Sequence, residues 1–286
     1  MKPLIIHPQT LQQLQLFANR PGHAVLIHGP AGIGKSALAQ HLAATILDKP
    51  LAELADYPYI SQIVAPEISS AAIESIRQLE HFLSLRVPVS GTITRLVIIH
   101  DAQALSIQAQ NALLKTLEEP PQATLLILTA PSPTSLLPTI TSRLQIISVV
   151  RPSNGELVTY FNNAGHTSGA INQAYAISGG LPGLMHALLN DADHPLKPAT
   201  ETARALLQQT VYERLLTVDE LAKQKLHALN TLFILQQMAH ARLQSTTGPQ
   251  FKRWQHILKV CYEASEQLSN SGQPKLVLDS LMLKLN

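Results

Sequence analysis

Eight consecutive residues, Gly29-Pro30-Ala31-Gly32-Ile33-Gly34-Lys35-Ser36, match the phosphate-loop pattern G-x-x-x-x-G-K-[ST] at every defined position. The chemistry this spacing serves is anion capture. Glycines let successive backbone N–H groups turn inward around a phosphate, and the N-terminus of the following helix adds partial positive charge. Lys35 would reach the β- and γ-phosphates of ATP or ADP, and the Ser36 hydroxyl would sit on Mg²⁺. A second chemical element lies at Leu96-Val97-Ile98-Ile99-His100-Asp101-Ala102. Phosphoryl transfer to water needs an acid at a strand end to hold the metal and a further group to activate the nucleophile. This stretch supplies one carboxylate, Asp101. Either Asp101 is the magnesium acid and Ala102 stands at the base position, or Asp101 takes the base position and His100 replaces the magnesium acid. Both arrangements describe a degenerate Walker B strand end, so binding is expected without efficient hydrolysis.

The elements that must hold these residues follow from hydrophobic patterning. Ala24-Val25-Leu26-Ile27-His28 is a short continuous apolar run, the pattern of a strand buried on both faces, and it leads directly into the phosphate loop. A helix is expected from Lys35 to about Leu47. Tyr59 to Val64, Thr92 to His100, Thr124 to Thr129 and Ile146 to Val150 read as four further strands. Ile73, Ile76, Leu79 and Leu83 recur at helical spacing within a helix predicted over Ser69 to Leu85. Another helix is predicted from Ser106, a natural N-cap, to Glu119, where Pro120-Pro121 end it. Strands alternating with helices imply right-handed crossovers and a parallel sheet covered on both faces. After the loop Arg151-Pro152-Ser153-Asn154-Gly155 no strand signal remains, and the pattern is helical to the end.

Composition sets the outer limits. A chain of 286 residues suggests about two domains. Apolar residues make up 45%, charged residues 14%, and mean hydropathy is +0.10, which excludes a chain disordered throughout. No run approaches the roughly 18 apolar residues of a membrane span. One cysteine, Cys261, excludes an internal disulfide and a multi-cysteine zinc site, so no zinc and a cytoplasmic address are expected. The net charge of +2 hides an asymmetry: residues 195–286 hold 11 basic and 7 acidic residues, whereas the first 194 hold 10 and 12.

The block Asn111-Ala112-Leu113-Leu114-Lys115-Thr116-Leu117-Glu118-Glu119-Pro120-Pro121 closely resembles a signature of bacterial DNA polymerase III clamp-loader subunits of the AAA+ class. Leu136-Leu137-Pro138-Thr139-Ile140-Thr141-Ser142-Arg143 resembles the "S-R-C" region of that family, with Leu144 in place of cysteine. The ending Pro274-Lys275-Leu276-Val277-Leu278-Asp279-Ser280-Leu281 resembles its last collar helix. Within the family the likeness is greatest to the delta-prime branch. Alignment of the helix block without gaps places Asp101 at the catalytic glutamate position and His100 at the magnesium aspartate position. Ser178-Gly179-Gly180-Leu181-Pro182-Gly183-Leu184 falls in the sensor-2 region and lacks its arginine, and the sensor-1 region falls near Thr129 to Ser132. A four-cysteine zinc module common in the family is missing between Asp48 and Glu67.

The resemblance implies a five-stranded parallel α/β P-loop domain over 1–150, a small helical lid over 151–194 and an all-α oligomerising collar over 195–286. It implies a non-motor subunit of a heteropentameric loader that opens a sliding clamp and loads it on primer-template DNA. Its partners would be gamma/tau-like and delta-like subunits, the clamp and DNA. It also implies that Arg143 projects into a neighbour as a trans arginine finger, neutralising charge on a γ-phosphate. By position alone Arg143 would be a cation at a helix C-terminus. The competing readings are an autonomous ATPase motor of the gamma/tau type and a generic P-loop switch or kinase.

Overall fold

The computed structural model describes residues 4–64, 79, 81–84, 87, 92–191, 194–243, 246–269 and 272–285. The chain divides into two compact units, Met1–Ser153 and Asn154–Asn286.

Five parallel strands form the centre of the first unit: β1 (Ala24–His28), β2 (Ile60–Val64), β3 (Arg95–His100), β4 (Thr124–Ala130) and β5 (Gln145–Ser148). Their order across the sheet is β2-β3-β4-β1-β5. The register pairs Leu26 with Leu128 and with Ile146, and Val97 with Leu126. Side chains alternate between the faces of a strand, and the two hydrophobic clusters divide on that alternation. On one face Leu26, Val97, Ile99, Leu126 and Leu128 pack with Ala109, Leu113 and Leu117 of helix α3 (Ile107–Glu118). On the other, Val25, Ile27, Leu96, Ile98, Leu125 and Ile127 pack with Leu38, Ala39 and Leu42 of α2 (Lys35–Leu47) and with Leu14 and Phe17 of α1 (Pro8–Asn19). With both faces covered, β3 and β4 are buried throughout, which is why they read as unbroken apolar runs.

Helix α1 has no counterpart in the sequence reading. Pro8 opens it, but its body is rich in glutamine, and only Thr10, Leu14 and Phe17 are buried. Thr10 is fully buried, and its hydroxyl accepts a bond from the Val150 N–H at 2.9 Å, which fixes the helix to the chain leaving β5. Ser106 caps α3 as expected, accepting from the Ala109 N–H at 3.2 Å. A short helix α4 (Pro138–Thr141) precedes β5. The helix expected over Ser69 to Leu85 falls largely outside the described residues; Leu79 and 81–84 are helical.

The second unit contains α5 (Asn154–Asn163), α6 (Ser168–Ser178), α7 (Pro182–Asn190), α8 (Leu196–Gln208), α9 (Val211–Lys223), α10 (Lys225–Leu243), α11 (Gly248–Ser269) and α12 (Pro274–Lys284). Helix α5 starts inside the loop expected at 151–155. The lid–collar boundary expected after residue 194 falls within this unit. Helix α10 packs against α8 and α11, and α9 against α12. Thr210 and Glu213 form a capping box at the start of α9. The buried Arg214 donates from Nε to the Leu206 carbonyl at 2.7 Å and from Nη1 to the Leu285 carbonyl, joining α8, α9 and the end of α12. The Cys261 carbonyl accepts from the Gln236 side chain at 3.2 Å, and its thiol is fully buried. Among the described residues no helix is long and apolar enough to cross a membrane.

Candidate nucleotide-binding site

The phosphate loop leaves β1 at the point where chain order across the sheet reverses, the usual ligand position in an open α/β sheet. The Gly29 N–H donates to the Ala130 carbonyl at 3.2 Å, so the first residue of the loop is still tied to β4. Gly32 and Gly34 take φ of 79° and 99°, left-handed values that glycine adopts without strain. A Cβ at Gly34 would meet nothing within 4 Å, so it is the backbone conformation rather than crowding that requires glycine there. Gly34 is the N-cap of α2, and Lys35 and Ser36 occupy its first turn. Lys35 is buried, and its ammonium donates to the carbonyls of Gly29 at 2.9 Å and Pro30 at 3.2 Å. Burial lowers its pKa, with the negative charge of Asp101 partly opposing the shift. The loop therefore offers a partly desolvated cation and free backbone donors at a helix N-terminus, a fit for phosphate groups.

At the end of β3 the alternation puts His100, and not Asp101, on the side that faces α2. Leu96 and Ile98 face α2, so His100 faces it as well. His100 is 7% exposed, and its Nε2 lies 3.2 Å from Gln62 Oε1 on β2. The same oxygen accepts from Gln40 Nε2 of α2 at 3.2 Å. Serving two donors fixes Gln62 Oε1 as the acceptor, so Nε2 of His100 carries the proton and Nδ1 the lone pair. Nδ1 is buried without a hydrogen-bond partner. Burial lowers the pKa of His100, with the Asp101 charge partly opposing. Asp101 follows the strand in a left-handed turn with φ of 50° and is exposed. Its backbone N–H donates to Thr129 Oγ1 at 3.0 Å, and its carboxylate accepts from Gln103 at 3.3 Å. His100 thus holds the α2-facing position that a magnesium acid would need. Thr129 on β4 is tied to this strand end by the bond from the Asp101 N–H.

The residues around Ser36 fit a nucleotide phosphate better than they fit magnesium. The side of β3 that faces α2 carries the imidazole of His100 in place of a carboxylate. Among the described residues no group of three or more His, Cys, Asp or Glu side chains could hold a metal ion.

Arg143 lies between α4 and β5, and none of its bonds goes to the phosphate loop. Nη1 donates to the Thr139 carbonyl at 2.8 Å and to Ser142 Oγ at 3.3 Å. Nη2 pairs with Glu118 Oε1 at 2.8 Å, the arginine side chain being 36% exposed and the glutamate 52%. Glu118 ends α3, so the clamp-loader-like helix block and the S-R-C-like segment meet in this ion pair. Gln110 holds the two segments in register, donating to the Leu105 carbonyl at 3.1 Å and accepting from the Leu137 N–H at 3.0 Å. Sequence reasoning missed Gln40, Gln62, Gln110 and Glu118 as partners of the site. Each is joined to it across 22 or more residues except through the local Gln110–Leu105 bond, and no motif marks such contacts.

Residues 6–153, about half of the chain, match the family described as "DNA polymerase III, delta subunit". The chain belongs to that family. It is 34% identical to DNA polymerase III subunit delta' of Pseudomonas aeruginosa over 181 residues, covering 56% of this chain and 53% of that protein. It is 28% identical to subunit delta' of Escherichia coli over 308 aligned positions, covering 94% and 90%. The chain therefore spans about half the length of the Pseudomonas relative and most of the Escherichia coli one. A Thermotoga maritima protein related to the DNA polymerase III gamma subunit shares the fold with a TM-score of 0.54 at 19% identity, covering 97% of this chain and 100% of that one. The Thermotoga structure shows the shared fold, and within DNA polymerase III the curated relatives include tau and tau/gamma subunits beside delta'.

Proposed function

We propose that this family member is a non-motor subunit of the replicative clamp loader. It binds a nucleotide with little or no hydrolysis of its own and supplies Arg143 in trans to a neighbouring ATPase subunit while the sliding clamp is loaded on primed DNA. Its partners in this reading are gamma/tau-like and delta-like subunits, the clamp and primer-template DNA, in the cytoplasm. The helices of residues 195–286 serve as the oligomerising collar and those of 151–194 as the lid. The observation that carries the reading is the end of β3. His100 rather than a carboxylate faces α2, and the one nearby carboxylate, Asp101, is in an exposed turn. A strand end so built lacks the pair of groups that would hold a metal and activate water. The exposure of Arg143 and the pinning of its guanidinium by Thr139 and Glu118 support presentation to a second protein.

The test is ATP turnover by the isolated chain, and then by the chain mixed with the motor subunit, clamp and primed DNA. Turnover that appears only in the mixture agrees with the proposal. Substantial turnover by the chain alone overturns it in favour of an autonomous motor.

A further inference from the structure

We infer that the phosphate loop takes its nucleoside di- or triphosphate as the metal-free anion, because the place of the metal-holding carboxylate is filled by His100. The inference rests on the nucleotide-binding reading above and narrows the ligand of that same site.

A magnesium ion at a phosphate loop is shared between phosphate oxygens, the loop hydroxyl and a strand-end carboxylate, all oxygen ligands in near-octahedral order. Ser36 lies in the first turn of α2, so a β3 ligand that shares an ion with it must come from the face of β3 that packs on α2. Residues 96, 98 and 100 make up that face, and only His100 among them is polar. Its ring is a poor replacement. Imidazole suits zinc, copper or nickel better than magnesium, and the chain Gln40–Gln62–His100 locks the ring with its N–H bonded inside the fold.

Asp101 is the other candidate ligand. Its carboxylate influences Lys35 electrostatically without lying within 4 Å of the ammonium. It sits one residue past the strand, in the left-handed turn, and bonds Gln103. Positive charge for the phosphates therefore comes from Lys35 and the loop amides. Lys35 can exchange its bonds to the Gly29 and Pro30 carbonyls for bonds to phosphate oxygens. With no cation between them, Asp101 repels the bound anion.

The test is the dissociation constant of fluorescently labelled ADP and ATP for the whole chain, measured in excess Mg²⁺ and in EDTA. The expected result is saturable binding whose affinity changes less than about threefold between the two conditions, since the strand-end carboxylate is replaced by His100 and only the Ser36 hydroxyl is left to hold the ion. Asp101→Asn should tighten binding in EDTA by a few fold, because a like charge near the anion is removed. His100→Asp should make binding magnesium-dependent, and circular dichroism of the variant checks its folding. Wild-type binding that falls more than about tenfold in EDTA overturns the inference and leaves nucleotide binding standing. Absence of saturable binding in either buffer overturns nucleotide binding itself, and the inference with it.

Discussion

Arg143→Ala separates a structural from a functional arginine by the size of its effects. The substitution removes an ion pair to Glu118 and bonds to the Thr139 carbonyl and Ser142 hydroxyl. Both charged side chains are more than a third exposed, so solvent screens the pair, and its contribution is about 0.2–1 kcal/mol. Adding the solvent-facing bonds to Thr139 and Ser142 raises the total cost to about 1–2 kcal/mol, a fall of a few degrees in Tm for a chain this long. The isolated chain therefore stays folded. A trans arginine contributes about 10³–10⁵ in rate, or about 4–7 kcal/mol of transition-state stabilisation. The kinetic loss thus exceeds the structural one several-fold. The assay is steady-state ATP turnover of the reconstituted loader with clamp and primed DNA, beside a thermal melt of the variant alone. Arg143→Lys should restore little, since an ammonium cannot form the same planar fork. Glu118→Gln keeps an acceptor for Nη2 and should retain most of the rate. An Arg143→Ala complex at full rate would refute the finger, and a melt lowered by more than about ten degrees would show that the screening argument misjudged the pair.

Four further outcomes follow. Lys35→Ala should cost only about 1 kcal/mol of stability, from the bonds to Gly29 and Pro30, yet abolish nucleotide binding by titration. Gly180→Ala places a Cβ 2.8 Å from the Tyr175 ring at a φ of 79°, and chemical denaturation should show a loss of about 1–3 kcal/mol. His100 has a folded-state pKa below the ordinary value of about 6.5, so the unfolded chain binds the proton first. Stability is then lost as pH falls from that value towards the depressed one, and His100→Asn should flatten the decline in a melting series from pH 7.5 to 5.0. The Cys261 thiol, pushed up to about 12 by burial, should not react with a thiol reagent in the native chain, whereas the denatured chain should titrate one thiol.

Local features of this chain were legible because their causes are local. The phosphate loop declares itself through eight contiguous residues, and β3 and β4 through runs that burial on both faces keeps apolar. Helix α1 was not legible. Its sequence is mostly glutamine outward, and its anchor is the hydrogen bond from Val150, 140 residues away, to Thr10. The residue types alone left His100 and Asp101 open, and only the resemblance of the helix block favoured His100 at the magnesium position. The choice depends on which face of β3 lies under α2, a matter of packing that appears only when Leu96 and Ile98 are seen against Leu38 and Leu42. Nothing in the sequence marks Glu118 as a partner of Arg143, 25 residues away; only the fold brings the two within 2.8 Å.

The burial of Cys261 has a practical side. A chain whose one native thiol is inert needs no background mutation before labelling. Cysteines placed at exposed Leu16 on α1 and exposed Leu226 on α10 would put one spin label on each compact unit and leave the core of the second untouched. Pulsed dipolar spectroscopy between them would then follow the two units as nucleotide, partner subunits and DNA are added one at a time.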